Sequence, residues 1–411
     1  MRARTVALLL AGRGAGRLAQ YGAGFALLAV WGPDRFAGYA AAVGVGLWAF
    51  ALAATGVERS ALVTLAPVAA GDPVPAERRA LEGMFAALGL LPFALALAAC
   101  AAAGLVEPGG PAVRYAAGIA FMTGTGALAV LVALLRLRGR PGADPAAYAV
   151  LSVAYGAAVA LAALAGLGVG GVLAFLVAVT AAVVAVLLLV LRPTGPGPGR
   201  RFGRAAVVAA LRTAGLFAAG DVLGNAAVSV LYAELAALAP AEQGSLLYVG
   251  LTVSVALGAL SNYVLRLWQP AILVWLAAGP ASAPVRLRRG LVLAGAAGLV
   301  VTVAAGLAGN VIVALAVEIV TFLAVSGAAF VIESIDDRAR LNSALSALAG
   351  LGVVALAGLL LIPSGGAAGA LVAMAAGWLA RVPWLFTAAR PRTPAPRAGI
   401  GSAPGEPSRP A

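Results

Sequence analysis

Residues 5–31 read TVALLLAGRGAGRLAQYGAGFALLAVW, an apolar run of membrane-spanning length that carries Arg13 and Arg17. A bilayer core about 30 Å thick takes about 20 apolar residues per helix. An arginine at that depth costs roughly 2.5–3.5 kcal/mol on insertion scales, so the pair requires a carboxylate, a water-filled cavity or an anionic ligand. At i and i+4 the two share one helical face, which Gln20 and Gly24 continue, and a polar stripe on a membrane helix marks a pathway. If residues 1–17 instead lay along the interface, about 14 residues would remain before Gly32–Pro33, about 21 Å of helix, which is short for a bilayer.

The rest of the chain has the same character. Of 411 residues, 63% are hydrophobic and 10% charged, and the mean hydropathy is +1.02. No soluble core hides that much apolar surface. Twelve membrane-length stretches follow one another, at approximately 5–31, 37–66, 84–105, 113–135, 146–166, 172–191, 206–235, 245–276, 290–308, 311–333, 341–361 and 367–386. The expected fold is an all-α integral membrane protein of about twelve transmembrane helices.

All 28 basic residues are arginine. They gather at the N-terminus, in alternate loops (Arg78, Arg79; Arg136–Arg140; Arg192–Arg204; Arg286–Arg289; Arg338, Arg340) and in the tail, whereas the opposite loops hold only Arg35 and Arg114. The positive-inside rule then puts both termini in the cytoplasm of a multi-pass protein of the inner (plasma) membrane. The net charge of +13 is thus a topology signal, spread over separate segments rather than gathered into a nucleic-acid-binding face. No nucleic acid is expected as a partner; the lipid bilayer is.

Several function classes are disfavoured. With no histidine and only Cys100, the usual metal ligands, proton shuttles and triad bases are missing, so no metal or catalytic residue is expected and the chain reads as a non-enzyme. No G-x-x-x-x-G-K-[ST] loop is present for an ATP-driven pump. The loops opposite the arginines are too short to house a catalytic domain, and GDPVPAERRALEG (71–83) is a poor match to the basic loop of major-facilitator carriers. The first helix is too long and too Arg-laden for a cleaved signal peptide.

The Pro/Gly-rich basic segment RPTGPGPGRRFGR (192–204) separates six stretches from six. Sliding the second half by 206 positions brings Gly244 onto Gly38, each opening a long helix that turns polar in its cytoplasmic half: Glu58, Arg59, Ser60 and Thr64 in one, Asn262, Arg266 and Gln269 in the other. The expected organisation is an N-terminal six-helix lobe (1–192), a cytoplasmic linker (193–204), a C-terminal six-helix lobe (205–387) related to the first by a pseudo-two-fold, and a disordered cytoplasmic tail (388–411).

GRLAQYGAGFALLAVWGPDRFAGYAAAVGVGLWAFALAATGVERSALVTLAP (16–67) resembles polysaccharide flippases of the multidrug/oligosaccharidyl-lipid/polysaccharide exporter superfamily, with their "lGp..fG.ya" turn and a helix ending in "GlerAl". LNSALSALAGLGVVALAGLLLIPSGGAAGALVAMAAGW (341–378) is similar to their "N..l...lIP..G..GAa.a" segment. The resemblance implies two six-helix lobes around a cationic cavity. It also implies translocation of a polyprenyl-diphosphate-linked oligosaccharide from the inner to the outer leaflet, with glycan-assembly enzymes as possible partners.

The residues fit such a ligand. Arginine offers a planar fork of donors for phosphate oxygens, so Arg13, Arg17, Arg59 and Arg266 are candidate substrate-binding residues, with Gln20, Asn225 and Asn262 for the sugar. Arg266 at the inner interface and the adjacent Glu58–Arg59 pair also admit a bland reading, as snorkelling and mutual neutralisation. Asp221, Asn225 and Ser229 form one polar face. Asp221 is read as an ion-pair partner of Arg13 or Arg17, a ligand of a coupling proton or sodium ion, or a helix–helix hydrogen bond. Glu318 is a candidate coupling group or a buried neutral acid, and Glu58 a candidate for ion pairing. Glu333, Asp336 and Asp337 beside Arg338 and Arg340 read as a solvated salt-bridge cluster, and Arg212 and Arg381 as snorkelling residues. No cofactor is expected. The alternatives are a drug/cation antiporter of the same superfamily, disfavoured by the scarcity of carboxylates, and a non-transporting scaffold for glycan-assembly enzymes.

Overall fold

The computed structural model describes residues 3–70, 75–191, 204–278 and 283–388, and among them every regular element is helical. The helix Ala3–Phe50 breaks at Gly32 (φ 72°, ψ 171°), a conformation open essentially to glycine alone. It thereby makes two arms, α1 (3–31) and α2 (33–70), the latter passing through a π-helical turn, Ala51–Val57, into Glu58–Ala70. That the arms run antiparallel follows from Arg13 and Glu58, which flank Gly32 at a distance in sequence yet lie 3.5 Å apart.

The next eight helices are α3 (Pro75–Val106), α4 (Pro111–Leu137), α5 (Ala143–Leu164), α6 (Val169–Leu191), α7 (Arg204–Leu238), α8 (Ala241–Ala278), α9 (Ala283–Ala308) and α10 (Val311–Glu333). The helix Asp337–Ala380 breaks at Gly366 (φ 52°, ψ −128°) into α11 (337–365) and α12, which runs from 367 past Arg381 to the end of Val382–Ala388. Here too the arms pack side by side, Arg381 Nε donating to Ser346 Oγ at 3.3 Å.

Each of the twelve apolar stretches falls on one of these twelve helices, which begin up to nine residues earlier, and none overruns its helix by more than two residues. Among the described residues ten helices are long and apolar enough to cross a membrane. One of them, Asp337–Thr387, is the hairpin about Gly366, and the arm with Arg13, Arg17 and Gln20 is not among the ten. The expected linker (193–204) and tail (388–411) fall outside the described residues apart from Arg204 and Ala388, which end α7 and α12.

Two bodies of buried side chains make the lobes. One draws on α1–α6 and the first turns of α7 (Ala210, Ala214) around α4, whose residues 116–135 are almost all buried. The other joins the rest of α7 to α8–α12 through Leu231, Leu251, Val317, Val354 and Leu371. Within each lobe, helices touch through glycine. A Cβ on Gly46 would stand 2.7 Å from the Gly118 carbonyl oxygen, and one on Gly350 2.8 Å from that of Gly377. Such small residues let membrane helices associate by close backbone packing, since lipid gives no hydrophobic drive between them.

A charged lock between the lobes

The lobes meet on the side where α1 begins and α12 ends. Leu9 of α1 packs there on Tyr263 and Leu267 of α8, and beside them Gly56 in the π turn of α2 abuts the Ala214 carbonyl, in the first turns of α7 that pack with the first lobe. A π turn widens the helix by one residue and is frequent at functional sites. Here Thr55 in the turn and Arg59 just after it reach acceptors in the second lobe, and Glu58 is met by an arginine from that lobe.

Around this junction three arginines share two fully buried carboxylates. Arg13 pairs with Asp144 (3.1 Å) and Glu58 (3.5 Å), and Arg136 with the same two at 3.3 and 3.9 Å. Arg266 reaches across from α8 to Glu58 at 2.6 Å, and also donates to the Ala54 carbonyl (3.3 Å) and to Thr55 Oγ1 (3.2 Å). Thr55 in turn donates to Asp221 at 2.6 Å, and Tyr263 donates to Asp144 at 3.1 Å. Arg13 lies between the rings of Tyr148 and Tyr263, its guanidinium carbon 5.1 and 4.2 Å from their centroids. Two carboxylates compensate most of the charge of three guanidinium groups, which is what burial of ions requires.

A second cross-lobe pair sits beside the first. Arg59 donates to Glu333 at 2.5 Å and to the Phe330 carbonyl at 3.4 Å, with Phe217 and Phe330 on its faces. Ser343 donates to the other Glu333 oxygen at 2.5 Å, and Arg340 Nε donates to the Glu333 carbonyl at 2.8 Å.

Several expected partnerships change. Arg13 is met by Asp144 and Glu58, not by Asp221, which takes the Thr55 hydroxyl. Glu58 and Arg59, neighbours in sequence, do not neutralise each other. Their side chains leave the helix in different directions, one into the first lobe and Arg266, the other to Glu333. Glu333 is buried rather than solvated, and Arg340 bonds both its backbone and the Asp337 carboxylate. Arg381 is buried against Trp378 and Ser346 instead of snorkelling, whereas Arg212 is exposed. Asp144, Arg136, Thr55 and Tyr263 are members of the junction that hydropathy and charge counting pass over. Asp144 and Arg136 look like loop residues, and the only hint is that their loop is short enough to hold both against the membrane face.

One turn outward from this lock lie the remaining candidates. Arg17 follows Arg13 on α1, half-buried, donating to Gln20 at 3.1 Å and lying over Phe50 at 5.5 Å. Among the described residues no carboxylate lies within ion-pair distance of it. Half-buried Asn225 follows Asp221 on α7, and half-buried Asn262 stands four residues from Arg266 on α8. Glu318 is elsewhere, buried inside the second lobe, where Trp378 Nε1 donates to it at 3.3 Å and Ser254 also bonds it; among the described residues its other oxygen has no partner. Among the described residues no cluster of metal-ligating side chains occurs.

No family model and no curated protein matches the chain in sequence. Solved structures do match it. A MATE protein in complex with Br-NRF superposes with a TM-score of 0.65 at 14% identity, over 94% of this chain and 93% of that one. An outward-facing multidrug-resistance MATE transporter of the MOP superfamily gives 0.62 at 13% identity, over 93% and 94%. A MOP-superfamily transporter from Pyrococcus furiosus, described as having a binding pocket of reversed polarity, gives 0.54 at 14% identity, over 93% of each chain. At such identities the likeness bears on architecture, and the architecture is the two-lobe, all-helical fold of these membrane transporters.

Proposed function

We propose that the chain carries a polyprenyl-diphosphate-linked oligosaccharide from the inner to the outer leaflet by alternating access of its two lobes. The observation that carries this reading is Arg17, a half-buried guanidinium one turn outward of the lock that has no carboxylate within ion-pair distance among the described residues. A cation held at membrane depth without a counter-charge favours an anionic guest, and its fork suits phosphate oxygens. Gln20, Asn225 and Asn262 supply donors and acceptors for the sugar in this reading, and the lipid tail remains in the bilayer. The lock supports the transport cycle: it closes one side of the pathway and is made of contacts that separate as the lobes rock. A proton or sodium gradient supplies the drive, with Glu318 as the coupling group.

A second reading, a drug/cation antiporter, is favoured by Asp221, an exposed carboxylate at the lobe junction. Reconstituted vesicles separate the two. The wild-type protein should move a fluorescent polyprenyl-diphosphate oligosaccharide across the bilayer. Arg17→Ala should slow this about tenfold or more, because a hydrogen bond to a charged group contributes about 1.5–3 kcal/mol. Full activity of the folded Arg17→Ala protein overturns the proposal; efflux of a cationic dye, abolished by Asp221→Asn, establishes the rival.

A further inference from the structure

Separating the lobes at the lock does not treat its two signs of charge alike. Arg266 has three hydrogen-bond acceptors, Glu58, Ala54 O and Thr55, and all three belong to the first lobe. Arg59 has two, Glu333 and Phe330 O, and both belong to the second. The two aromatic rings on its faces, Phe217 and Phe330, belong there too. Each arginine therefore loses every polar partner when the lobes part. The carboxylates do not. Glu58 keeps Arg13 and Arg136 of its own lobe, and Glu333 keeps Ser343.

Even in the closed state the guanidinium groups have unused donors. Arg59 Nε, Arg266 Nε and Arg136 Nη2 are buried without a hydrogen-bond partner. A carboxylate offers two oxygens in one plane, whereas a diphosphate offers acceptors in several directions and more negative charge, so it would satisfy donors that Glu58 and Glu333 leave idle. A guanidinium that has lost its carboxylate and lines the opening between the lobes also favours an anion that can take its fork of donors.

We infer that Arg266 and Arg59, on opposite walls, form a diphosphate-binding site when the lobes open on this side, and that Glu58 and Glu333 are built-in competitors which retake the two arginines on closure and displace the anion. The inference rests on the reading of the ligand as a diphosphate. It assigns the carboxylates a role in release: closure exchanges a mobile anion for a tethered one, so the ligand is driven off as the passage shuts behind it. Arg13 and Arg136, themselves held by Asp144, keep Glu58 compensated in both states, so it can leave Arg266 and return.

The test uses purified full-length protein in detergent and inorganic pyrophosphate as the probe, with binding followed calorimetrically. Wild-type protein should bind weakly, and Glu58→Gln and Glu333→Gln should each bind about tenfold more tightly, equivalent to about 1.4 kcal/mol. Adding Arg266→Gln to the first, or Arg59→Gln to the second, should abolish the gain. Unchanged pyrophosphate affinity in the folded carboxylate variants overturns the inference. If Glu58→Gln does not yield folded protein, Glu333→Gln decides alone, because its pair is separate. A short-chain polyprenyl diphosphate in a second arm should bind more tightly still; affinity equal to that of pyrophosphate would keep the site and reassign it to a soluble diphosphate. Tightened binding without glycan transfer in vesicles would remove the proposed function while the site stands, and transfer without tightened binding would do the reverse.

Discussion

The Thr55 hydroxyl donates to Asp221 at 2.6 Å while accepting from Arg266 at 3.2 Å, so one small side chain in the π turn of α2 joins α7 and α8 of the other lobe. Both bonds involve a charged partner, and such bonds contribute about 1.5–3 kcal/mol each. Thr55→Val keeps the shape and removes the hydroxyl. It should shift the lobe equilibrium toward opening on this side by about tenfold or more, read from spin-label distances between the two lobes. Thr55→Ser should keep the wild-type distribution; equal distributions in Val and wild type would show that the link holds nothing.

Asp144 is fully buried and holds Arg13, Arg136 and the Tyr263 hydroxyl together. Its loss leaves two buried guanidinium groups sharing Glu58 with Arg266. Breaking a buried ion pair by removing one partner costs about 3–5 kcal/mol, so Asp144→Ala should lower the thermal unfolding temperature in detergent. It should do so far more than Asp337→Ala, whose half-exposed carboxylate pairs with Arg340 near the surface.

Gly32 and Gly366 make the two hairpins, and they should differ in tolerance. At Gly32 nothing stands within 4 Å of a Cβ, so Gly32→Ala meets only the backbone penalty, about 1–3 kcal/mol for this region of φ/ψ space. At Gly366 a Cβ would also come within 2.6 Å of Gln243 Oε1, the atom that accepts from the Ala367 backbone N–H at 3.0 Å. Gly366→Ala should therefore be the more damaging of the two, by folded yield after membrane extraction.

Hydropathy alone gives the helices because a bilayer imposes one length on all of them, and the two hairpin turns show as Gly32–Phe36 and Pro363–Gly366 between apolar runs. The polar positions Arg13, Glu58, Arg59 and Arg266 stand out for the same reason, each being costly in lipid. Their pairing is not visible, because it depends on which helix ends meet. Glu58 and Arg59 invite a local pair, yet consecutive residues of a helix point in different directions, and each meets a different helix. Arg136 reads as a topology signal and Asp144 as a loop residue until α4 and α5 bring both under Arg13.

Orientation is testable with cysteine. Gly139 lies in the arginine-bearing α4–α5 turn and Glu107 in the α3–α4 turn at the opposite end of α4. With Cys100 replaced, a single cysteine at 139 should react with an impermeant maleimide only in inside-out vesicles, and one at 107 only in right-side-out vesicles. The opposite pattern would invert the direction of transport.

Glu318 offers the sharpest test of coupling. It lies buried in the second lobe, bonded to the Trp378 indole and to Ser254, and among the described residues one of its oxygens has no partner and no arginine lies within ion-pair distance of it. A carboxylate placed so has no structural ion pair to explain it, and a group that takes up and releases a cation would occupy such a place. Glu318→Gln retains an oxygen for Trp378 and similar volume but cannot exchange a proton or neutralise a sodium ion. If Glu318 couples transport to the gradient, the Gln variant should still equilibrate substrate across vesicles while losing the acceleration that an imposed proton or sodium gradient gives the wild type. If it serves only the fold, the variant should respond to the gradient as the wild type does. Trp378→Phe separates the indole's part: the carboxylate then loses that donor and keeps Ser254, and gradient response should weaken without vanishing.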